Sequence, residues 1–177
     1  MILCDGMGSG EVAREESRTC ANLLLSLLSH NIQVSTAINI INSMLLWTFS
    51  GSVAAIDLCL INLDDGSSKI YKCGGAGSYA KIKNEVTSIA SPTLPAGSFS
   101  NSDTEVFSVD SEKGSMLVMV SDGIISSENS QKSWIKEMID KYDGNEPEEL
   151  SQMILSRAKE IASSPPDDLT VMAAYIG

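Results

Sequence analysis

Three short acidic motifs hold the residues best suited to chemistry: Cys4-Asp5-Gly6-Met7-Gly8-Ser9-Gly10, Ser121-Asp122-Gly123-Ile124 and Pro166-Asp167-Asp168-Leu169-Thr170. Each places an Asp at or beside the end of an apolar run that reads as a strand: Ile2 to Cys4, Met116 to Val120 and Leu169 to Ile176. A strand end is a rigid point from which to aim a carboxylate. One Asp-Gly pair alone is more often a turn, but three Asp motifs at apolar strand ends change that balance. Carboxylates drawn together from distant parts of a chain repel one another unless a positive charge sits between them, and a hard divalent cation is the usual one. The pattern predicts a metal site built on Asp5, Asp122 and Asp167. A pair of such ions can activate a bridging water and clamp a phosphoryl centre, so no Ser, Cys or His nucleophile is required. The single histidine, His30, falls at a helix end away from every motif and reads as a surface residue.

The Gly6-x-Gly8-x-Gly10 run also invites a nucleotide-binding reading. The dinucleotide fingerprint, however, needs its third glycine where this chain has Glu11, and an acid ending a second strand about 20 residues further on. A second helix is expected in that region, and no Gly-Lys-Ser/Thr follows to make a phosphate-cradling loop.

The elements that must position these motifs alternate in blocks. Val12, Cys20, Leu23, Leu24, Leu27 and Leu28 recur at helical spacing across Glu11 to His30, with Arg14, Glu15 and Arg18 opposite. A second helix runs from a Ser35 cap through Ile38, Ile41, Met44 and Leu45 to Trp47, completing a helical hairpin. Strands follow at Val53 to Asn62, with Ile56, Leu58 and Leu60 on one face, then Lys69 to Cys73, Ser78 to Lys83, Glu85 to Ile89, Thr104 to Val109 and Ser115 to Val120. Helices are expected over Trp134 to Tyr142 and Pro147 to Ala162, the latter with Asn145 near its start. Without strict β-α-β order, these blocks point to a layered α+β protein.

At 177 residues the chain reads as a single domain over 1–177 with a core that needs no disulfides, and it begins inside an apparent core strand, as though truncated at its N-terminus. Its net charge of −11, from 12 basic and 23 acidic residues, argues against a phosphate-backbone binder and hence against nucleic acid as a partner. Cys4, Cys20, Cys59 and Cys73 show no C-x-x-C spacing and read as reduced core thiols, which fits a cytoplasmic location. No apolar run approaches the about 20 residues that span a bilayer, so no direct membrane insertion by this domain is expected, although a parent protein could be membrane-tethered.

The motifs Asp5-Gly6-Met7-Gly8-Ser9-Gly10-Glu11, Ala13, Glu16-Ser17, Ser121-Asp122-Gly123-Ile124 and Asp167-Asp168-Leu169-Thr170 resemble those of the metal-dependent protein phosphatases of type 2C. Within them the chain looks most like the stage II sporulation protein E phosphatase domains, a likeness carried also by Ile41-Asn42-Ser43, Asp57-Leu58 and Leu94-Pro95-Ala96-Gly97. The resemblance implies a four-layer α-β-β-α sandwich of antiparallel sheets flanked by helices. It implies two Mn2+ or Mg2+ ions, with Asp5 bridging them, the Gly6 carbonyl on one, and Asp122 and Asp167 completing the site. Asp168 is then expected to act from behind the ligands, and Arg14, the arginine nearest Asp5 in the sequence, is the candidate for reaching the substrate, although a solvent-facing role is the favoured reading for it. The implied reaction is hydrolysis of a phosphoserine on an anti-sigma-factor antagonist-type protein. The helices Glu11 to Ser29 and Ser35 to Trp47 correspond to the pair that links regulatory input to the Gly6 segment in this family. The resemblance also implies a Gly-Asp hairpin ahead of residue 1 that this sequence lacks, so the fold is expected without its first hairpin. That absence keeps a non-catalytic signalling or binding module on the same scaffold as the alternative, and a homodimer is left open.

Overall fold

Apolar residues at helical spacing draw two long helices onto one sheet, and an all-apolar strand organises a second sheet, in the computed structural model of this chain. It describes residues 1–8, 10–48, 52–100, 103–126, 133–162 and 168–177. In chain order the elements are β1 (Ile2–Gly6), α1 (Glu11–Ser29), α2 (Val34–Thr48), β2 (Ala54–Ile61), β3 (Ser68–Cys73), β4 (Ser78–Ile82), β5 (Glu85–Ile89), β6 (Glu105–Val109), β7 (Met116–Val120), α3 (Asp122–Ser126), α4 (Trp134–Lys141), α5 (Pro147–Ile161) and β8 (Val171–Tyr175). One four-stranded sheet has the order β1-β2-β3-β6 and the other β5-β4-β7-β8. Helices pack on each, as expected for the α+β class. The chain divides into two compact units, Met1–Cys59 with Ile70–Gly75 and Ser91–Phe107, and Leu60–Lys69 with Ala76–Ala90 and Ser108–Gly177.

In the first unit, Cys20 and Leu24 of α1 and Ile38, Ile41 and Leu45 of α2 bury against Ala54, Ile56, Leu58 and Cys73. Each fully buried Leu or Ile contributes about 1.5–3 kcal/mol. The buried row of α1 continues backwards to Glu16, not to Val12, which is 69 % exposed. Glu16 tolerates burial because its carboxylate accepts a hydrogen bond from Ser52 Oγ at 2.5 Å. Helix α2 starts one residue before Ser35, and Ala37 N donates to Gln33 O at 2.9 Å, so Ser35 lies inside the helix instead of capping it. Strand β2 is buried on both faces from Ala54 to Cys59, whereas Leu60, expected on the face of Ile56 and Leu58, is 40 % exposed. β1 pairs antiparallel with β2, setting Asp5 opposite Ala55 and Gly6 opposite Ala54. Ala54 also bonds in both directions with Ala96, at 2.9 Å each way. Asn42 of α2 pins that loop: its Oδ1 accepts from Gly97 N at 2.7 Å and its Nδ2 donates to Phe99 O at 3.0 Å.

In the second unit all the pairings are antiparallel, and every residue of β7 is buried. Ile135, Ile139, Leu150, Ile154 and Ala158 of α4 and α5 pack against Val118, Val120 and Ile124. Ser133 caps α4, its Oγ accepting from Lys136 N at 3.2 Å. At the other end of α4, Lys81 Nζ donates to the carbonyls of Ile139, Asp140 and Tyr142 at 3.1, 2.8 and 2.7 Å, meeting the negative end of the helix dipole. Helix α5 begins at the expected Pro147, with Glu146 as the residue before it. The short helix α3 was not foreseen.

Candidate active site

Asp5 is the penultimate residue of β1, half-buried, and the backbone just beyond it is held on two sides. Gly6 N donates to Ser17 Oγ at 2.8 Å, and the same hydroxyl donates to Ala13 O at 2.8 Å. One serine of α1 therefore ties the strand end to the helix's first turns. The fit is close enough to require glycine: a Cβ on Gly6 would stand 2.6 Å from Ala13 O. On the other side Met7 N donates to Val53 O at 2.8 Å. Arg14 lies exposed one turn into α1, in the same unit as Asp5 and Gly6.

Asp122 follows β7 directly and opens α3, with its side chain exposed. The buried Ile124, whose N donates to Ser121 O at 3.2 Å, anchors that turn. Ser121 N donates to Thr170 O at 3.0 Å, Ser121 Oγ donates to Asp168 O at 2.9 Å, and Thr170 N donates back to Ser121 Oγ at 3.0 Å. The second and third acidic motifs thus meet at one end of the β7-β8 pair. Asp168 is exposed there, and Asp167 lies outside the described residues.

Asp5 and Gly6 belong to one unit, and Asp122 and Asp168 to the other. Among the described residues, no three His, Cys, Asp or Glu side chains gather closely enough to hold an ion. The chemistry of the donors nevertheless suits hard cations, because the motifs offer carboxylates and a backbone carbonyl and neither thiolate nor imidazole. Cys4, although next to Asp5, packs with the helices on the opposite face of β1. Burial first, then Cys20, Asp57 and Asp5, raise its thiol well above the usual range, and burial pushes Cys20 and Cys73 up to about 11. Such thiols stay protonated and are poor nucleophiles.

Sequence reasoning assigned no role to Asp57 and Lys72, which form a buried ion pair at 2.6 Å. Asp57 pairs with Leu3 across β1-β2, two residues from the Asp5–Ala55 pair, so it shares a sheet face with Asp5. Burial raises its carboxyl pKa, and the Lys72 ammonium draws it back down. The available signal was an Asp inside the otherwise apolar run Ala54-Ala55-Ile56-Asp57-Leu58-Cys59. Ser17 and Ser121 were visible only as members of their motifs.

The family model for stage II sporulation protein E matches residues 1–176. Stage II sporulation protein E of Bacillus subtilis (strain 168) is 32% identical over 179 residues, which cover 98% of this chain and 22% of that protein. The solved PP2C phosphatase domain, with a fragment of the regulatory domain, of the cell fate determinant SpoIIE from Bacillus subtilis aligns with a TM-score of 0.84 at 30% identity. That alignment covers 97% of this chain and 52% of the solved one. A manganese-presoaked structure of the SpoIIE phosphatase domain from the same organism aligns with a TM-score of 0.61 at 29% identity, over 96% of this chain and 74% of that one. The fold is therefore that of a type 2C phosphatase domain, two sheets flanked by helices, with the three acidic motifs falling inside the matched region. By the extent of that match, this chain belongs to the stage II sporulation protein E family.

Proposed function

We propose that this chain is a metal-dependent protein serine phosphatase domain acting on a phosphoserine of an anti-sigma-factor antagonist-type protein, in the cytoplasm. Family membership supports the reading, and one observation carries it: Ser121 joins Asp122 to the Asp168 segment across 47 residues of sequence. Asp5, the Gly6 carbonyl, Asp122 and Asp167 are the proposed holders of two Mn2+ or Mg2+ ions. Asp168 steadies that set, and Arg14 is the candidate for meeting the substrate phosphate. When bound, such ions polarise the phosphoryl group and the water that attacks it. The chain's own part is to aim oxygen donors from strand ends and to fix the Gly6 peptide through Ser17.

The test is manganese-dependent phosphate release from a phosphoserine protein, comparing the chain with Asp122→Asn. The variant should lose about a hundredfold or more in rate, the scale of removing one electrostatic stabiliser. Because Asp122 is exposed, the variant's unfolding free energy should stay within about 0.5 kcal/mol of the parent's. Full activity in the variant would overturn the assignment, and partner binding without hydrolysis by the parent chain would favour a signalling module instead.

A further inference from the structure

Ser121 is 3 % exposed and sits between the last residue of β7 and Asp122. All of its polar groups are engaged. Its amide and hydroxyl make the three bonds to Asp168 and Thr170 described above, and its carbonyl accepts from Ile124 N. The backbone bonds would form with any residue at this position, since they extend the β7-β8 ladder by one step. The hydroxyl bonds would not. They reach past the ladder, where β8 has not yet begun, and hold the peptide of Asp168 against the peptide preceding Asp122.

We infer that Ser121 is a positioning residue whose hydroxyl sets the spacing between the Asp122 turn and the Asp168–Thr170 segment. The inference rests on the metal reading given above. Ligands that share an ion must be held to within about 0.5 Å of the productive geometry by the groups behind them. Without the hydroxyl, Thr170 N–H and Asp168 O lose their bonds to Ser121, and the Ser121 N–Thr170 O bond alone still ties the segment leading into β8 to the turn before Asp122. The effect falls on metal affinity, by about tenfold to a hundredfold, as is typical when an outer hydrogen bond to a metal site is removed.

Threonine and valine have nearly the same shape and differ here in the hydroxyl alone, so Ser121→Thr and Ser121→Val isolate it. Mn2+ binding to the full chain is followed by the paramagnetic resonance signal of the free ion, with Thr170 amide exchange and the melting midpoint measured on metal-free protein. Ser121→Thr should bind Mn2+ as the parent does. Ser121→Val should bind about tenfold to a hundredfold more weakly, with faster Thr170 exchange and a cooperative melt. Where valine prevents folding, Ser121→Ala removes the hydroxyl without added bulk and should show the same loss. Equal Mn2+ affinity in the hydroxyl-bearing and hydroxyl-free proteins, with binding still abolished by Asp122→Asn, would overturn the role of Ser121 and leave the metal reading intact. A parent chain that binds no Mn2+ would overturn the metal reading and this inference together.

Discussion

Lys72 Nζ lies 2.6 Å from Asp57 Oδ2, in an ion pair whose side chains are 0 % and 1 % exposed. The other carboxylate oxygen, Asp57 Oδ1, has no hydrogen-bond partner among the described residues. Gly75 packs directly on it, and a Cβ at that position would overlap the carboxylate. This pair bridges β2 and β3 on the face that carries Asp5, so its integrity bears on the sheet that presents the first acidic motif.

Removing one partner of such a pair costs more than removing both, because the survivor is left as an unpaired buried charge. Lys72→Met should destabilise the chain by about 3–5 kcal/mol in urea unfolding. Adding Asp57→Leu should recover most of that loss. A double variant no more stable than Lys72→Met would contradict the account.

The same pair predicts a pH dependence. Burial places the folded-state pKa of Asp57 above its unfolded value. The folded state then binds more protons, and stability falls as pH rises toward and through the folded pKa. Lys72 offsets this in part in the parent. In Lys72→Met nothing does, so the variant should regain stability as the pH is lowered from 7 toward the unfolded value of about 4. Urea midpoints measured across that range would show a slope opposite to that of a carboxylate whose pKa folding lowers.

Gly6→Ala should be harmful on two counts. Its Cβ would press on Ala13 O, and relief requires α1 and the end of β1 to separate, breaking the Gly6–Ser17 bond. We expect a lower melting midpoint together with loss of phosphate release at all manganese concentrations. Ser17→Ala keeps the glycine and loses only the hydroxyl, so it should be milder in both measurements.

Lys81→Met should remove three charge-assisted bonds from the end of α4. A loss of about 1–3 kcal/mol is expected, with no change in Mn2+ affinity because Lys81 lies opposite Met116, at the other end of β7 from Asp122. Chemical unfolding and metal titration of one preparation check both statements.

Cys20 and Cys73, pushed up to about 11 by burial, should hardly react with an aromatic disulfide at pH 8. The four thiols of the chain should become reactive together on unfolding. Rapid labelling of Cys20 or Cys73 in the native protein would contradict their burial.

Elements with long or strict patterns were legible in the sequence. β5 occupies the expected Glu85–Ile89, and α1 departs from its expected span by a single residue. Ser35 was misassigned because a serine near a helix start looks like a cap whether or not the backbone has already turned. Val12 continues the row of Glu16, Cys20 and Leu24 by one turn yet is exposed, because the buried stretch of α1 ends at Glu16, whose carboxylate Ser52 satisfies. A five-residue helix such as α3 is too short to show a period. The acidic motifs were legible because each is local. What holds them was not, for the bonds of Ser121 to Asp168 and of Asn42 to Phe99 span 47 and 57 residues. The Asp57–Lys72 pair joins two strands whose register no single-strand pattern reveals.

Gly6 is gripped by both helices of its unit, and by independent routes. α1 reaches it directly through Ser17. α2 reaches it through Asn42, the Gly97 peptide, Ala96 and Ala54, each step a hydrogen bond or a paired backbone position. Both tethers end at Gly6, one at its N–H and the other at its paired position across the sheet. Sliding one helix along the other without stretching either tether would require Gly6 to shift, so the residue after Asp5 is coupled to how α1 and α2 are seated.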